Sequence, residues 1–449
     1  MIKFDHIEKF SIRYALLQLF CRFDYKFFFY KKIYMVGKEK IPKNKAIIFA
    51  PNHQNAFMDA MGVVLQTPLQ QMIFLARADI FQKDRVAKFL KLCKIMPIFR
   101  LRDGMSSLSN NDAIFDTTIN VLLKGRKVVI FPEGNHDGHR TLRPLKKGLV
   151  RMAYQALDEK NGQFELYIVP VGIDYSHYEY WNEEVLVQFG DPILLNDSYS
   201  EYKNNPQQAY HHTSDKLSAA MKKLMIHIPD MNHYDEYDHL RTFLQYRFCE
   251  IFNLDEAQYI NRFHSQQKMI EKIHLIQKES PLLFEKLIHL TREHKSIAIE
   301  NKIEHTVFKK SDFIRDHSLI FIIIALIFSP IILTGAFTGA LIYWIVKKKI
   351  STLKDRQFIS SFQFLLAGFV GALNYLIIAI LAGVLTSNFW LFLGALSLMP
   401  FTALAALYFR KGLSIISNKK RWERFKKNNS KYNDYKKTEN ELVEILETF

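Results

Sequence analysis

Three uncharged stretches in the last third of this chain constrain it more than any other feature. Ser318–Val346 runs 29 residues without a charge, Phe362–Leu385 runs 24 and Phe389–Phe409 runs 21. A helix needs about 18–20 consecutive apolar residues to cross the hydrocarbon core of a bilayer, so each stretch is long enough. Three in close succession argue against buried helices of a soluble protein. The link between the first two is KKKISTLKDR, the link between the last two is TSN, and Arg410–Lys437 carries 11 basic residues against 2 acidic ones. Basic loops favour the cytoplasmic side. Ser329-Pro330 and Thr334-Gly335 are natural break points inside the first stretch. The expectation is a membrane region over 316–410, made of a re-entrant hairpin (318–346) and two spans (362–385 and 389–409). A basic cytoplasmic tail over 411–449 follows. Every charged loop then faces the cytoplasm from a cytoplasmic (inner) membrane.

The 449 residues have room for about two to three domains, and the formal net charge of +16 points to nucleic acid, an anionic membrane face or phosphorylated substrates. No nucleic-acid recognition motif is visible, and much of the charge flanks the apolar stretches. The three cysteines, Cys21, Cys93 and Cys249, lack metal-type spacing and are expected as reduced, buried thiols. Near the N-terminal end, ALLQLFC leads into FDYKFFFYKK with no small-residue cleavage site. Residues 1–32 read as an amphipathic, interfacial helix or, equally, as an ordinary packing helix.

Between about 33 and 195, short apolar runs alternate with helical patterns. Strands are expected at Ala46–Ala50, Met72–Ala76, Ile95–Phe99, Val128–Phe131, Leu166–Val171 and Val185–Phe189, with helices over 56–66, 84–93, 109–124 and 145–157. That rhythm makes an α/β domain over 33–228. Long charged helical patterns at 208–227, 237–253, 256–277 and 281–299 make a helical extension over 229–315.

Four of the strands end in residues that carry chemistry. After the first comes APNHQNAFMD, with His53 six positions before Asp59. An aspartate bonded to one ring nitrogen would leave the other free to take a proton. Six positions on one helix turn about 600°, so the pair works only if His53 lies in the turn before the helix and Asn55 is the N-cap at the junction. IMPIFRLRDG ends in Arg100 and Arg102, which could grip a phosphate or form a solvated strand end. VVIFPEGNHDGHRTLRPLKKG brings Glu133, Gly134, Lys146 and Lys147, a carboxylate for substrate hydroxyls, a glycine that lets a ligand approach the backbone, and two cations. His136 and His139 are expected as solvent-exposed histidines and not as metal ligands. IVPVGIDY closes the set.

In this order NHQNAFMD, PIFR, FPEG and IVPVGI, with VQFGDPI behind them, resemble the blocks of the glycerolipid acyltransferase family, the glycerol-3-phosphate and lysophosphatidate acyltransferases. The resemblance covers roughly 33–228 and lies closest to the larger glycerol-3-phosphate branch with C-terminal membrane segments. It implies an α/β fold with a mixed sheet covered by helices. His53 would be the general base and Asp59 its orienting carboxylate. Arg100 would contact the acceptor phosphate, and Glu133 and Gly134 would line its pocket. Five residues separate His53 from Asp59 where four are usual, as in some of the glycerol-3-phosphate branch. Asn135-His136 replaces the usual Thr/Ser then Arg or Ser, which leaves the acceptor open. The expected reaction moves an acyl chain from an acyl-CoA or acyl carrier protein thioester to a hydroxyl of glycerol-3-phosphate or 1-acylglycerol-3-phosphate. No other cofactor and no metal is called for. Expected partners are the anionic glycerol-phosphate or lysolipid acceptor, the acyl donor and membrane lipid, with room for a homodimer and no nucleic acid. The alternatives are another lysolipid or amino-acid lipid acceptor, or an inactive membrane lipid-binding protein.

Overall fold

The computed structural model describes residues 4, 6–65, 67, 69–99 and 110–449. Arg100 and Arg102 lie outside the described residues. The chain forms two compact units, one of Met1–Ile226 with Lys354–Ser361, the other of His227–Leu353 with Phe362–Phe449.

The first unit is built on an eight-stranded sheet. Its strands are β1 (Lys32–Val36), β2 (Ala46–Pro51), β3 (Ile73–Arg77), β4 (Ile95–Ile98), β5 (Lys127–Val129), β6 (Leu166–Tyr175), β7 (Glu184–Phe189) and β8 (Ile193–Leu194). The order is β1-β7-β6-β2-β5-β3-β4, with β8 on β6. β6, β2, β5, β3 and β4 are mutually parallel, whereas β7 and β8 run antiparallel to β6. The sheet is therefore mixed. Every residue of β2 is buried, as expected where helices cover both faces of a parallel sheet. Ile48, Ile73, Val128 and Ile168 meet Leu149, Ala153 and Leu157 of the helix Gly148–Asp158 in one continuous core. Six strands fall where the alternation places them. β1 and β8 were not anticipated, because KIYMV sits among lysines and Ile193–Leu194 is too short to carry a period.

Helix α1 (Ile12–Phe23) begins at Ser11, whose hydroxyl accepts the Tyr14 N–H. One face packs inward, with the buried Gln18 amide donating to the Val64 carbonyl at 3.1 Å. The other leaves Ile12, Leu16, Leu19 and Phe23 exposed.

In the second unit the helices Tyr234–Phe243, Tyr259–Glu279 and Pro281–Glu300 form the extension. Among the described residues, three helices are long and apolar enough to cross a membrane: Ser329–Ile350, Arg356–Thr386 and Phe389–Lys426. They expose large side chains such as Phe337, Leu385 and Trp390. The stretch 318–346 is divided into two helices of unequal length, with the break beside Ser329-Pro330. The break falls at Phe328, between a short helix Ser318–Ile327 and the 22-residue helix Ser329–Ile350. Pro330 stands at the start of that helix, where its missing N–H costs nothing. Gly335 does not break it: a Cβ there would collide with the Thr402 carbonyl oxygen, so the glycine lets two apolar helices touch.

The basic stretch after 410 is helical. The helix Phe389–Lys426 continues through it, and Asn429–Thr448 follows as another helix with Tyr435, Leu442 and Leu446 buried. Its apolar stripe is hidden, in composition, among lysines. Phe425 and Tyr435 join Ala298 and Ile303 in a core of their own.

Beside that core, His239 and His294 are buried and share one hydrogen bond, Nε2 to Nδ1 at 2.7 Å. One ring must donate and the other accept, so the pair fits two neutral imidazoles. Burial pushes His239 down to about 4 and His294 down to about 3. The unfolded chain therefore binds more protons as pH falls, and stability present at pH 7 is lost as pH drops from about 6.5 toward 4. By pH 5 the loss is on the order of 2 kcal/mol per histidine. Melting of this unit, followed by Trp422 fluorescence, should move down by several degrees between pH 7 and pH 5. His239→Leu with His294→Leu should flatten that dependence, and an equally steep drop in the double variant would refute the assignment.

Candidate active site

The carboxyl ends of β2, β3, β5 and β6 lie side by side, the edge where α/β sheets place their sites. β2 stops at Pro51. Asn52 then fastens its end to β6, its amide donating to the Ile173 carbonyl at 3.0 Å and accepting the Ile173 N–H at 2.7 Å. His53 follows in the turn, and helix α2 (Ala56–Val64) begins three residues later with Asp59 in its first turn. This is the geometry that the six-residue spacing demands.

His53 Nδ1 lies 2.9 Å from Asp59 Oδ2. The same oxygen accepts the backbone N–H groups of Gln54 (2.8 Å) and Asn55 (2.7 Å), and Oδ1 accepts the Tyr175 hydroxyl at 2.8 Å. Asp59 is fully buried. Burial and the Asp59 charge drive the Tyr175 phenol well above its usual range, so it stays a donor. An acceptor-only partner on Nδ1 selects the tautomer with the proton there and the lone pair on Nε2. The His53 ring stacks on Phe131, centroids 3.9 Å apart, and keeps 16% of its side chain exposed.

Asn55 occupies the helix junction but its side chain makes no cap bond. Asp59 already holds the backbone there. The Asn55 amide is free to donate to the Tyr178 carbonyl at 3.0 Å while its oxygen accepts the Ser360 hydroxyl at 2.8 Å.

The FPEG turn supports His53 from the other side. Gly134 sits at φ 72°, left-handed backbone that favours glycine. Glu133 is buried, accepts the His53 N–H at 2.8 Å through Oε1 and pairs with Arg143 Nε at 3.0 Å through Oε2. Burial pushes its carboxyl up, and Arg143 draws it back. The His53 carbonyl accepts the Asp137 N–H at 3.1 Å. Arg140 pairs with Asp174 and donates to the Tyr175 carbonyl at 2.8 Å, tying the loop to β6. Lys146 is exposed, with its stem against Gly134, and Lys147 reaches His211 at 3.2 Å.

His136 departs from expectation. Expected in solvent, it is 9% exposed, with its ring edge-on to His53 at 5.5 Å and its Nε2 2.8 Å from Asp355. His139 is about half exposed, as expected. No group of metal-ligating side chains occurs among the described residues. The cysteines are free thiols, with burial holding Cys21 and Cys93 up at about 12.

Sequence reasoning missed Tyr175, Arg143, Arg77 and Asp355. Tyr175 carried a signal, a polar tip ending an apolar strand. Arg77 ends β3 and donates to Asn135 Oδ1 at 3.2 Å. Asp355 carried none, lying 219 positions from His136.

Glu133→Ala should leave Arg143 and the His53 N–H without their acceptor and cost about 2–4 kcal/mol of stability. A melting temperature unchanged from wild type would refute that placement.

Residues 32–174 match the family model described as Acyltransferase. Glycerol-3-phosphate O-acyltransferase 2 of Saccharomyces cerevisiae is 26% identical over 27% of this chain and 16% of its own length. Glycerol-3-phosphate O-acyltransferase 1 of the same yeast is 31% identical over 22% of this chain and 14% of its own. A 1-acyl-sn-glycerol-3-phosphate acyltransferase of Bacillus subtilis is 29% identical over 27% of this chain and 55% of its own. The chain thus spans about one sixth of the yeast proteins and about half of the bacterial one. Among solved structures, the 1-acyl-sn-glycerophosphate acyltransferase PlsC of Thermotoga maritima is 17% identical over 49% of this chain and 79% of its own, with a TM-score of 0.31. Over residues 32–174 this chain is therefore similar to the Acyltransferase family and to glycerol-3-phosphate and 1-acylglycerol-3-phosphate acyltransferases.

Proposed function

We propose that the chain is a membrane-bound O-acyltransferase that acylates a hydroxyl of a glycerol-phosphate acceptor. The observation that carries this is the His53 ring, held by Asp59 on Nδ1 with Nε2 free of any partner among the described residues. The acceptor hydroxyl gives its proton to Nε2 as its oxygen attacks the thioester carbonyl. The carbon–sulfur bond breaks, and the thiolate leaves with the proton that His53 returns. General-base help of this kind is worth about 10²–10⁴-fold. Direct transfer needs no acyl-enzyme, and the high thiol ranges of Cys21 and Cys93 favour none.

Glu133 acts as the group that positions His53. Arg100, Arg102, Lys146 and Lys147 are the cations for the acceptor phosphate, and Gly134 opens the backbone toward it. The acyl donor is a CoA or acyl-carrier-protein thioester. The three apolar helices keep the enzyme beside its lipid product, with Lys347–Lys349 and the catalytic unit on the cytoplasmic side of the inner membrane. Similarity to glycerol-3-phosphate O-acyltransferases and to a 1-acylglycerol-3-phosphate acyltransferase supports both acceptors.

Membranes carrying the chain, given a labelled acyl donor with glycerol-3-phosphate, 1-acylglycerol-3-phosphate or neither, should label lipid only with an acceptor present. His53→Ala should abolish transfer without loss of expression or insertion, and Asp59→Asn should reduce it by about 10²-fold or more. Wild-type turnover in His53→Ala would end the proposal.

A further inference from the structure

Eight residues of the catalytic unit come from far along the chain. Lys354–Ser361, which includes the start of the helix Arg356–Thr386, belongs to the unit that holds His53. Arg356 grips the buried Glu179 with a two-pronged bond, Nε at 2.7 Å and Nη2 at 2.5 Å. Ser360 donates to Asn55, the residue at the start of α2. Phe358 meets the His136 ring edge-on at 4.9 Å, and Asp355 takes the His136 Nε2.

The result is a second imidazole built like the first. His53 has a carboxylate on Nδ1, and His136 has one on Nε2. Each pairing directs the proton toward the carboxylate and leaves a lone pair on the other nitrogen. Neither of those nitrogens has a partner among the described residues. The rings stand nearly perpendicular, 83° apart, with centres separated by 5.5 Å. The pairs differ in burial: Asp59 is wholly enclosed, whereas Asp355 is 42% exposed.

We propose that His136 is an acceptor-binding residue whose free nitrogen takes the hydrogen bond of the hydroxyl that does not react, with Asp355 as its positioning residue. A lone pair binds a hydroxyl proton and not a phosphate oxygen, so this site selects an acceptor with two neighbouring free hydroxyls. Glycerol-3-phosphate has them, whereas 1-acylglycerol-3-phosphate has only the one that reacts. Burial lowers the His136 pKa against the pull of Asp355, with the His53 and Arg77 charges acting in the same sense as burial, which favours the neutral ring this role needs. The inference rests on the acyl-transfer reading and narrows its acceptor.

The test uses the full chain in membranes with glycerol-3-phosphate and with 3-hydroxypropyl phosphate, which keeps the phosphate and primary hydroxyl but lacks the secondary one. Wild type should favour glycerol-3-phosphate by about tenfold or more in kcat/KM, because a site built to bond a hydroxyl rejects the analogue lacking it. His136→Phe should lose that preference through a higher KM for glycerol-3-phosphate, while transfer to the analogue stays within about twofold. Asp355→Ala should shift in the same direction. Asp355→Asn should stay near wild type, because its amide oxygen still accepts from Nε2. The proposal is overturned if His136→Phe keeps the wild-type preference, if it loses both acceptors in equal proportion, or if wild type does not discriminate. Transfer to neither acceptor by wild type would instead reject the acyl-transfer reading itself.

Discussion

The site depends on one carboxylate. Asp59 is buried where an unpaired charge would be intolerable, and four donors converge on it from two parts of the chain. The N–H groups of Gln54 and Asn55 are set by the turn into α2, the Tyr175 hydroxyl by the end of β6, and the His53 ring by the end of β2. Loss of any of these placements leaves a buried charge short of a partner. The arrangement therefore enforces itself: what holds the carboxylate also fixes the imidazole, its tautomer and the direction of its free nitrogen.

Around that carboxylate the sheet acts as a ruler. Parallel strands β2, β5 and β6 run the same way side by side, so residues beyond β2 and β5 and at the end of β6 meet although they are far apart in sequence. Asn52 repeats on β6 the bonding that a strand would make, carrying the register into the turn. Glu133 and Arg143 hold the neighbouring loop by charge-assisted bonds at the same edge.

The strands of the core were legible because their apolar runs are unbroken, and so was the placement of His53 against Asp59, because six residues allow only one arrangement. The proton-bearing Tyr175 lay in a stretch already singled out, but nothing in IVPVGIDY says that its last residue turns toward Asp59. Two kinds of information were not legible. Gly335 looks like a helix breaker and is a contact point, since the sequence does not show which backbone approaches it. The helix Asn429–Thr448 looks like a charged tail because its buried face, Tyr435, Leu442 and Leu446, is a minority among lysines and glutamates. His136 was misread for the same reason: its partners Asp355 and Phe358 lie more than 200 positions away.

The membership of Lys354–Ser361 in the unit that holds His53 changes where the part of this chain similar to acyltransferases ends. A fragment cut after Ile226 would carry every residue of the matched family region, including His53 and Asp59, yet it would leave Glu179 buried without Arg356 and Asn55 without Ser360. The boundary drawn by similarity and the boundary drawn by hydrogen bonds are different lines. Excising the first unit would require grafting back eight residues, six of them the start of the helix Arg356–Thr386, so the two units are interleaved along the sequence, not strung in series.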